Sequence, residues 1–235
     1  MAFHLEGGVQ LRLKLPQDLK LEYRCFTEVS QEFSNAGKVL GKKEHAWDTK
    51  ITRRVLRLEG DIAHLLTVSE PVGELPQEPI MGSQVARQVS YCQLDNQGQV
   101  REAVGNAVPL SFVFPLEAVS VGSSWERATM TVLPGMPHPA QCTNTYVLQG
   151  AERAGGYDCV CIEVRSSAAQ FEMVLPDGKQ RANVISETSG RIFFVPELGL
   201  PVRLEMTTRS IPKIEGFAFN TITNVVQDLV RCDQP

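Results

Sequence analysis

Apolar residues recur at every second position through most of this chain, and the 3.6-residue spacing of an amphipathic helix is nearly absent. Val9, Leu11, Leu13 and Leu15 alternate with Gln10, Arg12 and Lys14. Beyond Pro16-Gln17-Asp18 the pattern resumes as Leu19, Leu21, Tyr23 and Cys25 against Lys20, Glu22 and Arg24. Successive side chains of an extended chain point to opposite faces, so each run predicts a strand with one dry and one wet face, the two joined by a turn. Such a chain buries its apolar half only by pairing strands, so the expected fold is all-β, antiparallel, with little helix.

Further hairpins follow. Residues 51–58 and 62–68 flank Glu59-Gly60-Asp61, and residues 85–94 and 99–104 flank the turn at Gly98. Residues 70–81, with Pro71, Pro76 and Pro79, predict a loop, as does the proline-rich stretch 134–139. Strands are predicted at 129–133, 142–148 and 157–164. Residues 171–174 and 179–186 form a hairpin about Pro176-Asp177-Gly178, and 192–195, 202–209 and 217–232 complete the set.

Two segments match in order. Tyr91-Cys92-Gln93-Leu94 leads to Gly98 and then Val100-Arg101-Glu102; Phe193-Phe194-Val195 leads to Gly199 and then Val202-Arg203-Leu204-Glu205. Trp125 opens the second half as Tyr23 opens the first. The pattern predicts duplicated β units at 1–108 and 109–235, forming a double half-barrel or one continuous curved sheet. Residues 105–122 read as a junction too apolar to be a free linker.

The formal net charge is −4, and no basic run exceeds Lys42-Lys43 or Arg53-Arg54, so nucleic acid is not an expected partner. No stretch has the length of an apolar transmembrane helix, and the N-terminus lacks a charged segment followed by an apolar run; the expected location is cytoplasmic. Cys25, Cys92, Cys142, Cys159, Cys161 and Cys232 fall in strand-like segments and predict buried free thiols.

Candidate chemistry is sparse. Cys159 and Cys161 share one face of a strand and could place two sulfurs together, but nothing nearby completes a zinc set; two small residues on the inner face beside Tyr157 is the plainer reading. His4, His45, His64 and His138 are scattered, with His64 predicted as a satisfied core or edge residue. Asp95-Asn96-Gln97-Gly98 resembles part of a calcium loop but reads better as a β-turn. Glu197 and Glu205 cannot be paired for glycoside chemistry from sequence. Phe112, Phe114, Trp125, Tyr146, Phe193, Phe194, Phe217 and Phe219 read as core, or as the lining of an apolar cavity between curved sheets. No catalytic residue, metal ligand or cofactor is expected.

The set Gly122-Ser123-Ser124-Trp125, Pro134-Gly135, Tyr146 through Gly150 and Gly190 through Phe194 resembles uncharacterised two-repeat all-β domains of bacteria, over residues 110–205. The resemblance implies no activity and transfers no site residue. The function expected is a non-catalytic structural or protein-interaction role; the alternative is a carrier for a lipid or other apolar ligand between the repeats. Any site is expected in the groove between the two copies, not at the repeated turns.

Overall fold

The structure, a computed structural model, describes residues 7–35, 37–73, 86–105, 112–131, 140–174, 181–214 and 217–234. None of them is helical. Twelve strands form: β1 (Lys20–Asn35), β2 (Lys38–Glu59), β3 (Ile62–Val72), β4 (Gln88–Leu94), β5 (Val100–Gly105), β6 (Ser124–Thr131), β7 (Ala140–Ala154), β8 (Tyr157–Ser166), β9 (Ala169–Val174), β10 (Arg181–Val195), β11 (Leu200–Ile214) and β12 (Phe217–Asp233).

All pairings are antiparallel, and the strands make one continuous sheet in the order β5-β4-β3-β2-β1-β12-β11-β10-β8-β7-β6, with β9 beside the first half of β10. The first half of the chain meanders outward from β1 and the second half meanders inward to β12. The two halves meet where β1 pairs with β12, from Lys20↔Asp233 to Asn35↔Phe217. Among the described residues the ladder ends at β5 and β6 and does not close into a barrel.

The sheet is curled. Leu94 of β4 and Trp125 of β6 belong to one apolar cluster, although nine strand spacings separate their strands along the ladder. Laid flat that distance would be about 43 Å. The cluster joins Leu21 and Tyr23 of β1, Val55 of β2, Leu65 of β3, Tyr146 and Leu148 of β7, Ile162 of β8 and Phe194 of β10 on the inner face.

Two extended segments fill the hollow. Residues 9–15 cross it as a strap, with Val9, Leu11, Leu13 and Leu15 buried as their alternation implies. They form no strand: one isolated bridge, Val9↔Val119, is their only ladder contact among the described residues. The dry side of the alternation meets the core, and single hydrogen bonds to separate loops replace a neighbouring strand. Residues 112–114 span the gap between the sheet's ends. Phe114 N donates to Gln97 O (2.8 Å), and Trp125 Nε1 donates to Val113 O (2.9 Å).

Both glycine turns grip the strap. Leu13 N donates to Asn96 O (2.7 Å), and Lys14 N donates to Gly199 O (3.0 Å). Gly98 (φ +87°) and Gly199 (φ +65°) take the left-handed backbone and lie against main chain, at Phe112 and Lys14 respectively.

Other expectations shift. β3 runs through Pro71, which was expected in a loop; opposite it on β2 stands Thr49, while pairing with β4 stops at Ser69↔Gln88, so the missing N–H can face an unpaired edge. Residues 181–186 and 192–195 are parts of a single strand, β10. The expected loops at 74–81 and 134–139 lie outside the described residues.

The outer face is charged. Across β2, β1, β12, β11 and β10 run the pairs Lys50–Glu22 (3.3 Å), Arg24–Asp48 (2.8 Å), Arg203–Asp228 (2.9 Å), Arg203–Glu205 (2.7 Å) and Arg191–Glu205 (2.6 Å).

Candidate functional site

β1 and β12 form the seam between the two halves, and two buried polar side chains reach the inner face from either side of it. Arg53 of β2 stands opposite Leu21 of β1 and Thr67 of β3, 6% exposed. Its guanidinium carbon lies 4.9 Å from the centre of the Tyr23 ring. Nη1 has no hydrogen-bond partner, and no carboxylate among the described residues lies within ion-pair distance of the group. Gln227 of β12 stands opposite Cys25 of β1, 5% exposed, and its Nε2 is also without a partner.

The surroundings are dry. Burial pushes the Cys92 thiol from its ordinary 9.0 up to about 11, even though the Arg53 charge pulls it down. Burial likewise raises the Cys25 thiol and the Tyr23 phenol, again against Arg53. The guanidinium is therefore a buried cationic group with an unmet donor at Nη1. Stacking on Tyr23 compensates only part of the cost, on the order of 2 kcal/mol for a desolvated cation–π contact.

Farther from the strap the inner face turns polar and satisfies itself. Thr188 pairs with Thr208 (3.0 Å), Ser186 with Ser210 (3.0 Å), and Gln31 Nε2 donates to Thr221 Oγ1 (3.5 Å). At the strap end, a groove of about 590 Å³ opens between the two glycine turns, lined by Leu13, Lys14, Asp95, Asn96, Glu197 and Leu198 among others. The two glycine turns, at Gly98 and Gly199, therefore flank this groove, where the sequence reading had placed any site away from them.

Asp95 is committed: its carboxylate accepts from Gln97 N (3.0 Å), Gln99 N (2.9 Å) and Arg101 Nη2 (3.0 Å), which is turn chemistry. Glu197 is exposed at its turn, while Glu205 is held on the outer face; burial pushes the Glu205 carboxyl up, but Arg203 and Arg191 bring it below its ordinary 4.5.

Cys159 and Cys161 do share a face, but it is the outer one. They pack with Phe193, Val195, Val202 and Ala154 in a second, smaller apolar cluster, while Val160 and Ile162 between and beside them join the main core. Burial raises both thiols, Cys161 to about 12. Tyr157 at the start of β8 is exposed.

His64 is buried on the outer face. Its Nδ1 and the Tyr91 hydroxyl share a hydrogen bond of 2.5 Å, and Nε2 faces Glu59 Oε2 at 3.4 Å without hydrogen-bond geometry. Gln93 Nε2 donates to the Tyr91 hydroxyl (3.3 Å) and to Glu102 Oε2 (2.6 Å), extending the network. His45 is half-buried on β2, and His4 and His138 lie outside the described residues. Phe112, Phe114, Trp125, Tyr146 and Phe194 belong to the main apolar core, and Phe219 meets Phe33 edge-on at 5.3 Å. The Phe217 side chain is outside the described set.

The sequence carried a signal for Arg53 that its reading as half of a basic pair obscured. Ile51, Arg53 and Val55 have one parity, so an arginine was placed on the apolar face of a strand. Gln227 carried no comparable signal.

No protein-family model matches the chain, and no curated protein matches it. The solved structures it is similar to include two crystal structures of Ail, the attachment invasion locus protein of Yersinia pestis, one of them in complex with the heparin analogue sucrose octasulfate. Identity is 8% and 5%, coverage 91% of this chain and 99% of theirs, and the TM-scores are 0.24 and 0.23. At those scores the likeness carries no weight for the site.

Proposed function

We propose that this protein is a non-catalytic binding protein that holds a small molecule against the inner face of β1, β2 and β12. The observation that carries the reading is Arg53, a buried cation with a donor left open and, among the described residues, no carboxylate beside it. An uncompensated buried charge costs several kcal/mol, and a ligand acceptor would repair that cost on binding. Gln227, brought from the other half of the chain, presents a second open donor to the same seam. The ion-pair ladder on the outer face supports a protein whose outside meets water, since a lipid-facing barrel carries an apolar band there.

Native mass spectrometry of the purified protein tests this. A small molecule retained under gentle conditions, lost on denaturation and absent from Arg53→Met, is the expected result. A clean unliganded protein that takes up nothing from a metabolite mixture would sink it. An interaction role has its own observation in the open edge at β5, where Val104 is 61% exposed. It predicts a concentration-dependent rise in mass in the same spectra.

A further inference from the structure

We propose that two copies of this chain exchange straps, residues 9–15 of each docking in the hollow of the other. The exchange is independent of the binding role proposed above.

The strap's docking does not depend on which chain carries it. Val9 and Val119 exchange main-chain hydrogen bonds (2.8 and 2.9 Å), Leu13 N donates to Asn96 O, and Lys14 N donates to Gly199 O. Arg12 donates to the carbonyls of Pro115 and Leu116, and Lys14 Nζ donates to Glu197 O (2.8 Å). These partners lie in loops and turns, and none is nearer in sequence than Asn96. Donors on the strap thus meet loop carbonyls along its length, while Leu11, Leu13 and Leu15 are buried beneath. A second copy carries the same segment, so its strap satisfies the same groups and buries the same side chains.

The connection favours opening. Pro16-Gln17-Asp18 alone joins the strap to β1, and Leu19 N donates to Pro16 O (3.2 Å) to close a tight turn. Asp18 sits third in that turn at φ +65°, the only described residue other than glycine in the left-handed region. Turns of this kind favour glycine or asparagine there. Pro16 keeps Leu15 extended, so straightening falls on Gln17 and Asp18 and relieves the strained residue. A short connection under strain invites exchange between copies, and concentration then sets which hollow a strap enters.

The test uses the full chain with Val9→Cys and Val119→Cys. A hydrogen-bonded antiparallel pair sets its Cα atoms about 5.5 Å apart, within reach of a disulfide. Unlabelled and isotopically labelled protein are mixed in urea, refolded together under reducing agent at low and at high concentration, and then oxidised. Mass spectrometry of digests reads the peptide that links the two introduced cysteines. At high concentration the link should join a labelled to an unlabelled peptide, in a covalent dimer; at low concentration it should lie within one chain. Without the introduced cysteines, the dimer-to-monomer ratio after refolding should rise in the order Asp18→Gly, wild type, Asp18→Val. The extremes should differ on the order of tenfold, the size of one residue's left-handed strain. Asp18→Gly relaxes the turn without opening it and keeps the comparison available should Asp18→Val not fold. Links confined to single chains at every concentration overturn the exchange. So does a dimer lacking the mixed link, which would mean that the copies pair elsewhere, as at the open edge of β5. A dimer share that substitution of Asp18 leaves unchanged overturns the hinge and the exchange with it.

Discussion

Gly199→Ala and Gly60→Ala form a matched pair that measures what holds the strap. The two glycines have nearly the same backbone, φ +65° and +63°, so an alanine suffers the same left-handed strain at each. That strain is about 1–2 kcal/mol, offset by about 0.4–1 kcal/mol from a stiffer unfolded chain. Gly60→Ala should therefore cost about 1 kcal/mol, because nothing lies within 4 Å of its new methyl. At Gly199 the methyl would sit 2.5 Å from Lys14 N, and closer still to the Lys14 side chain. Backbone cannot yield to that, so the strap must lift. Lifting it breaks the Lys14 N to Gly199 O bond, worth about 1 kcal/mol. If Leu13 and Leu15 together regain about 80 Å² of exposure, a further 2 kcal/mol is lost. Gly199→Ala should thus cost about 4 kcal/mol. Urea unfolding followed by fluorescence of Trp47 and Trp125 reads both. Agreement of the two variants within about 0.5 kcal/mol would refute the docking of the strap on this turn.

Three further outcomes are expected. Arg53→Met should stabilise the ligand-free protein by about 1–3 kcal/mol in urea unfolding, because it removes a buried charge with no carboxylate beside it; a loss of stability would mean that the contacts of the guanidinium with Tyr23 outweigh the cost of burying it. In native labelling with N-ethylmaleimide at about pH 8, the half-buried Cys232 should react first, with Cys92 and Cys161, raised to about 11 and 12, protected until unfolding; mass spectrometry of digests gives the order. Glu205 has its carboxyl below 4.5 in the folded state, so it stabilises above the unfolded value, and that contribution is lost as pH falls through the folded one. The melting-temperature gap between wild type and Glu205→Gln should shrink on going from about pH 7 to about pH 3, and a constant gap would contradict the Arg203–Glu205–Arg191 pairing.

Period-two patterning was sufficient for β1, where Leu21, Tyr23 and Cys25 turn inward as their spacing implies. It also identified the hairpin about Gly60. It could not distinguish a strand from the strap, because Val9 to Leu15 meets the core with one face in either case; what differs is the partner for the main chain, and partners come from loops far along the sequence. The face of Cys159 and Cys161 was lost for a related reason. β8 is apolar on both sides, with Val160 and Ile162 in one cluster and the cysteines in another, so alternation has no wet side to mark the outside. Arg53 was legible from parity alone. The absence of a carboxylate beside it among the described residues was not, since that depends on which acidic side chains the curled sheet keeps away.

The strap also imposes an order on biosynthesis. Lys14 leaves the ribosome early, yet its hydrogen-bond acceptor, Gly199, is 185 residues downstream. At about 5–20 residues per second, the nascent chain waits on the order of 10–40 s with Leu11, Leu13 and Leu15 unshielded. β1 waits longer still for β12, whose last pairing joins Lys20 to Asp233. Native closure is therefore a late, long-range event, and the N-terminal apolar stripe is where a chaperone or a neighbouring nascent chain would first find purchase.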